Sequence, residues 1–234
     1  MELNQVARDE TIRYHESYYS SHKLFEEGWL QKPDEEVHRL VSFLSGRSNI
    51  NVLDIGCGVG RNAIPIAKEL KLNGVRVDCY DVLDSAIELL HGYAEQFDVA
   101  GSIFGKCIDM DSIEIEPESY DAILSVSVLE HSSSIAGVER LLRQIVNGTK
   151  PGGANRLTIS TDRYVTACDT GEVIDTRVET PMSKEQVTEM LRNYYDGWLV
   201  DRLSLVPYKE DLEYGGRMVT WSCVDVSFFA RRLS

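Results

Sequence analysis

Three glycines at alternate positions, Gly56, Gly58 and Gly60, follow the carboxylate of Asp54 in N-V-L-D-I-G-C-G-V-G-R-N, residues 51–62. Glycine has no Cβ and tolerates positive φ, so such a loop lets the backbone pass very close to a ligand. A dinucleotide fingerprint needs G-x-G-x-x-G opening a helix. Counted from Gly56, its third glycine would fall at 61, which is Arg61. Asp54 would repel a pyrophosphate and welcome an ammonium group. A second apolar run ends in Asp81, 21 residues after Gly60, and a carboxylate at the tip of a second strand can accept both hydroxyls of a ribose. A third run ends in Asp109, placed where a side chain can take the exocyclic amine of adenine. Together these describe an adenosine carrying a zwitterionic amino acid and no phosphate.

Around them stand further candidates for the same ligand. Cys57, inside the glycine loop, has a steric role as a small side chain. Val82 and Met110 follow the two acidic strand tips, and Ser125 and Val126 close a fourth strand, where their backbone atoms would line the cofactor. His131, in L-E-H, sits where the fourth strand opens toward the reacting group; Arg61 reaches the mouth of the site. Tyr14, His15, Tyr18 and Tyr19 crowd the first 30 residues without a continuous helical stripe, and are expected to form a lid of irregular helix.

The elements that must position these residues alternate along the chain. A helix from Pro33 is predicted by Val37, Leu40, Val41 and Leu44 at helical spacing, with proline suited to its first turn and Gly46 as its stop. Strands are predicted at 51–55, 75–81, 102–109, 121–127 and 156–161, with helices at 61–70, after Asp84 as cap, and over 135–147. Strands separated by such helices pair in parallel through right-handed crossovers. A capping box, S-K-E-Q at 183–186, opens a helix to Tyr195. Two apolar runs flanking Y-G-G-R then read as an antiparallel hairpin. The whole is one domain, with 1–45 as a helical lid and 46–234 as the core.

Composition excludes several classes. The 234 residues are 43% hydrophobic, enough for a sizeable core, and carry a formal charge of −14. No Lys/Arg cluster of the kind that nucleic acid requires is present, and no apolar run approaches the ~20 residues that span a bilayer. The start, M-E-L-N-Q-V-A-R-D-E, is no signal peptide, which points to the cytoplasm. Five cysteines lack paired spacing, so neither a disulfide framework nor a zinc site is expected. The expected assembly is a monomer or homodimer.

V-L-D-I-G-C-G-V-G, Y-D at 80–81, I-D-M at 108–110, Y-D-A-I-L-S-V-S-V-L-E-H and K-P-G-G occur in order over roughly 50–160. In this the chain resembles the class I S-adenosylmethionine-dependent methyltransferases. The resemblance implies a Rossmann-like three-layer α/β sandwich with a seven-stranded sheet of order 3-2-1-4-5-7-6, strand 7 antiparallel, and S-adenosylmethionine as cofactor. A narrower resemblance, carried by G-R-N, T-K-P-G-G-A-N, Y-Y-D-G-W and Y-G-G-R, is to the bacterial tellurite-resistance methyltransferases. It implies Arg217 as an anion contact. Those proteins tend to carry a His-Arg pair some eight residues earlier, where this chain has Lys209 and Glu210.

Because a sulfonium is already activated, the protein has mainly to align a nucleophile and exclude water. No Asn/Asp-Pro-Pro-aromatic segment follows the fourth strand, which disfavours methylation of adenine or glutamine amines. Only the first ~45 residues and the 162–182 segment are left to shape the pocket, so the acceptor is a small molecule. With Arg61 and Arg217 as fixed positive charges, the reading favours a soft or anionic nucleophile, such as a chalcogen oxyanion or a thiol. The alternatives are base-assisted N- or O-methylation of a small metabolite, and a non-catalytic module that binds S-adenosylmethionine.

Overall fold

The computed structural model describes residues 2–174, 179–214 and 216–234. Residues 175–178 of the expected pocket segment and Gly215 of the hairpin turn lie outside the described residues. Strand β1 (Asn51–Ile55) lies at the centre of the sheet. Side chains alternate along a strand, and β1 uses both faces: Val52 enters one hydrophobic core, Leu53 and Ile55 the other. Parallel partners flank it, β2 (Arg76–Asp81) on one side and β4 (Tyr120–Val126) on the other. Beyond them come β3 (Ile103–Cys107) and the long β5 (Thr149–Ala167).

The hairpin β7 (Leu199–Tyr214) and β8 (Arg217–Arg231) completes the order β3-β2-β1-β4-β5-β8-β7, with a two-residue β6 (Val173–Ile174) beside β5. Strand β8 runs antiparallel to both neighbours. This is the expected order 3-2-1-4-5-7-6, the short β6 being an addition on the edge.

Helices α3 (Ala63–Glu69), α4 (Asp84–Gln96) and α2 (Val37–Leu44) bury their apolar faces in the first core. Helices α5 (Ile135–Gly148) and α6 (Lys184–Tyr194) cover the second. Both halves of the capping box form at α6, where Gln186 N–H donates to Ser183 Oγ at 3.2 Å and Ser183 N–H to Gln186 Oε1 at 2.9 Å.

Four details differ from the sequence reading. Helix α1 (Glu2–Ser21) is one regular helix, and its broken stripe arises because Tyr14 and His15 face a cavity instead of a core. Helix α2 starts at Val37, after Asp34 has turned away toward Arg156; its wholly buried Val37, Leu40 and Leu44 make it part of the core and not of a lid. Asp84 is the first residue of α4 and makes no cap, while Asp81 Oδ1 accepts from Leu83 N–H at 3.0 Å. Pro151-Gly152-Gly153 is absorbed within β5 as an irregularity in its pairing with β4.

The lengths of β5, β7 and β8 matter most. Past Thr161 they rise beyond the ends of the parallel strands as a wall, kinked by a register shift between Thr161 and Tyr164. No helix of the described residues is long and apolar enough to cross a membrane.

Candidate functional site

A cavity of about 570 Å³ opens where β1 lies between β2 and β4. Ligands of open α/β sheets bind at such a switch point, outside the carboxyl ends of the strands. Its inner half is built by the glycine loop. Gly56 (φ +68°) and Gly58 (φ +52°) hold left-handed conformations that disfavour any side chain. A Cβ on Gly56 would lie 2.1 Å from Val128 Cγ2, and one on Gly58 2.5 Å from the Tyr19 hydroxyl. Gly56, Cys57 and Gly58 line the cavity; Gly60 packs below it against Leu90 and Ile64.

Asp81 lines the cavity too, its Oδ2 accepting from Gly58 N–H at 2.8 Å. Burial raises its carboxyl, against the pull of the Leu83 and Gly58 N–H groups. Val82, Met110 and Val126 line the cavity wall. Asp54 lies beneath the loop, 1% exposed, with Oδ2 lacking any hydrogen-bond partner. Burial pushes its carboxyl up to about 7, moderated by the Arg61 charge. Ser125 is wholly buried behind the wall, with its hydroxyl also unpartnered.

Two expected residues stand elsewhere. Asp109 is not on the cavity wall: its Oδ1 accepts from Asp111 N–H at 2.8 Å and its Oδ2 pairs with Arg8 of α1 at 2.6 Å. At the end of β3 the cavity is walled instead by Ile108 and Met110. Arg217 sits at the far tip of the hairpin, against Asp169 at 2.7 Å and Glu172 at 3.5 Å. Its charge is met by those acids and it does not line the cavity, which corrects its expected placement. Arg61 is in the cavity, donating to the Trp29 carbonyl at 3.0 Å, and burial lowers its guanidinium against the opposing pull of Asp34 and Asp54.

The outer half is walled by α1 and the raised strands. His131 faces it, with Nδ1 3.0 Å from Glu179 Oε2. Burial would raise Glu179, but the hydrogen bond and charge of His131 hold it below the usual carboxylate range. A carboxylate only accepts, so Nδ1 carries the proton and Nε2 is the basic nitrogen. His15 of α1 packs edge-on at 6.2 Å from the His131 ring and bonds the Thr11 carbonyl through Nδ1. Burial pushes His15 down to about 4, so it stays neutral at working pH.

Arg163 also lines this half; its Nη2 lies 3.2 Å from the buried Glu130, while its Nε has no partner. Glu179 and Arg163 were not singled out in the sequence. Glu179 lies 48 residues from His131, and no local pattern ties the two. The nearest signal for Arg163 was its place in the 162–182 segment assigned to the pocket.

The residues fit an adenosyl sulfonium with an amino-acid tail: a cradle that a Cβ would fill, a lining carboxylate at Asp81, and an orphaned buried carboxylate at Asp54. Residues 52–153 match a family model described as a methyltransferase domain. The ubiquinone biosynthesis O-methyltransferase of Rickettsia akari is 31% identical over 107 residues, 45% of this chain and 38% of that protein. The sterol 24-C-methyltransferase of Candida albicans is 26% identical over 152 residues, 63% of this chain and again 38% of the relative. The chain thus spans well under half the length of these relatives. TehB from Haemophilus influenzae has a similar fold, with a TM-score of 0.59 at 21% identity over 85% of this chain and 62% of that one. Residues 52–153 are thus matched by a methyltransferase domain, and the residues around the glycine loop fit S-adenosylmethionine, the cofactor of the class that the sequence resembles.

Proposed function

We propose that the chain methylates a hydroxyl or amine of a small molecule, with His131 as general base. The observation that carries this is His131, which faces the cavity while Glu179 behind it holds its Nδ1. Bound S-adenosylmethionine supplies an activated methyl group. Glu179 fixes the ring and its tautomer, and Nε2 takes the proton that a neutral nucleophile must lose. The packed rings of α1 and Trp29 exclude water. Incubation with labelled cofactor and a metabolite panel should label hydroxyl or amine acceptors. The rate should rise with deprotonation of an enzyme group, whatever the ionisation of the acceptor. Binding without turnover across the panel would leave only a binding module.

A second reading, methylation of a soft anion such as a chalcogen oxyanion or thiolate, is favoured by the unpartnered Nε of Arg163. It predicts a rate that follows the ionisation of the acceptor.

At the cofactor end, Asp81 is assigned to the ribose hydroxyls, Arg61 to the carboxylate of the amino-acid tail and Asp54 to its ammonium. Asp81→Ala should weaken the demethylated cofactor at least tenfold in calorimetry, since a hydrogen bond to a charged group contributes about 1.5–3 kcal/mol. Unchanged affinity would make Asp81 only a turn residue.

Asp54 gives a sign that can be checked. Its carboxyl is raised to about 7 in the folded chain, above the ordinary value of about 3.9. Ionising it therefore costs stability as pH rises through that interval. A ligand ammonium favours the ionised form, so binding near pH 6 should release a proton and tighten as pH rises toward about 7, levelling off above. Calorimetry in buffers of different ionisation enthalpy reads the proton directly; none released would remove Asp54 from the contact.

A further inference from the structure

The outer half of the cavity holds charges that proton transfer at His131 does not use. Glu10 of α1, Glu210 of β7 and Asp225 of β8 face it from three elements. Each is met by a hydroxyl. Tyr214 donates to Glu10 at 3.4 Å, Tyr208 to Glu210, and Ser160 to Asp225 at 2.5 Å. Among the described residues none of the three forms an ion pair with Lys or Arg.

The other acids of the cavity mouth are treated differently. Asp34 is paired with Arg156 and Glu35 with Arg202, each at 2.7 Å. A hydroxyl satisfies one lone pair of a carboxylate but leaves its charge in place. Nor does Arg163 neutralise the three, because its own charge is met by the buried Glu130. Among the described residues, the outer half is thus a net-negative chamber.

Its walls suit the same ligand. Tyr14 and Tyr208 line it with aromatic rings, and the face of such a ring attracts a cation; the ring of Trp221 shows the same preference, with the Arg163 guanidinium already over it at 5.6 Å. An independent sign of a missing partner is Thr158. Its side chain, 6% exposed, lines the cavity and its Oγ1 has no hydrogen-bond partner. A buried hydroxyl left unpaired costs free energy that a ligand N–H or O–H would recover. Thr158 pairs in register with Val126 at the end of β4, which puts it between the cofactor half and the acidic half. At longer range, the formal charge of −14 favours the approach of cations.

We propose that the acceptor is a small organic cation: an ammonium group seated among Glu210, Asp225 and the rings of Tyr14 and Tyr208, with its nucleophile reaching back past Thr158 to His131. The proposal rests on the methyltransferase reading, and its test separates the two.

Phenethylammonium, 2-phenylethanol and phenylacetate share one ring and differ in the charge of the tail. Their affinities are measured by calorimetry with the demethylated cofactor product present, and again without it. The ammonium should bind at least tenfold more tightly than the alcohol, and the carboxylate most weakly. Glu210→Gln, at the exposed rim, should cut the preference several-fold without disturbing the fold, and adding Asp225→Asn should bring ammonium and alcohol within about threefold. Equal affinities, tighter binding of phenylacetate, no binding of phenethylammonium, or a preference untouched by Glu210→Gln would each overturn the proposal. A protein that prefers the ammonium but ignores the cofactor product would instead overturn the methyltransferase reading.

Discussion

Replacing His131 with alanine should lower turnover by about 10²–10⁴-fold, the contribution of a positioned general base, while affinity for the cofactor product stays within a factor of two or so. The expectation follows from position. His131 lies on the outer side of the cavity, whereas the residues assigned to the cofactor cluster around the glycine loop. Glu179→Gln tests the supporting half of the pair. An amide can still hold the ring but cannot offset the positive charge that appears when Nε2 takes a proton, so the loss should be real but smaller. The double variant should cost far less than the product of the two single losses, because the residues act as one unit. Single-turnover rates across pH check all three. A loss under tenfold for His131→Ala, with the rate tracking the acceptor's own ionisation, would return the chemistry to a pre-ionised nucleophile.

The inner half of the site was legible because its chemistry is local. Asp54 and the glycines lie within seven residues, Asp54 standing next to last in β1 and Asp81 ending β2. The parallel pairing of the central strands followed from alternation with helices, their order from the family resemblance, and α6 from its capping box. Asp109 misled for a physical reason: a carboxylate at the end of a third strand reads as a ligand contact, but here Arg8 of α1 claims it. That partner is 101 residues away and leaves no local trace.

Beyond His131 and the rings of α1, the outer half was illegible for the same reason. The wall that brings Arg163, Trp221 and Asp225 together exists because β5 and β8 run on past the sheet. The fifth strand was expected only over 156–161, whereas β5 runs from Thr149 through Pro151, Gly152 and Gly153 to Ala167. Arg217 was given a role at the mouth on its charge; at the hairpin tip that charge is spoken for by Asp169 and Glu172.

The largest effect on stability should come from Asp34→Asn. Arg156 on β5 is the largest side chain buried below 2% exposure, and it reaches Asp34 through two parallel bonds: Nε to Oδ1 and Nη2 to Oδ2, each 2.7 Å. Its Nη1 donates to Ser227 Oγ at 2.7 Å. Asp34 is in turn fixed by its own N–H, which donates to Asn62 Oδ1 at 2.9 Å, just after the glycine loop. The pair therefore ties the entry to α2, the sheet and the site into one network. Burial alone would raise the Asp34 carboxyl, but the Arg156 hydrogen bonds and charge hold it below the ordinary value. Its contribution is thus present at neutral pH and lost only as pH falls through the depressed value. An amide keeps the shape and removes the charge, leaving a guanidinium buried without a counter-ion, which costs about 3–5 kcal/mol. Replacing both partners, Asp34→Leu with Arg156→Met, removes the two charges together and should recover much of that loss, since an apolar pair of similar volume is often neutral in place of a buried ion pair. Urea unfolding of the two single variants and the double gives the coupling directly. Additive losses, or an Asp34→Asn cost under 1 kcal/mol or so, would mean that the guanidinium finds water or another acceptor and that the network does not hold α2 to the sheet.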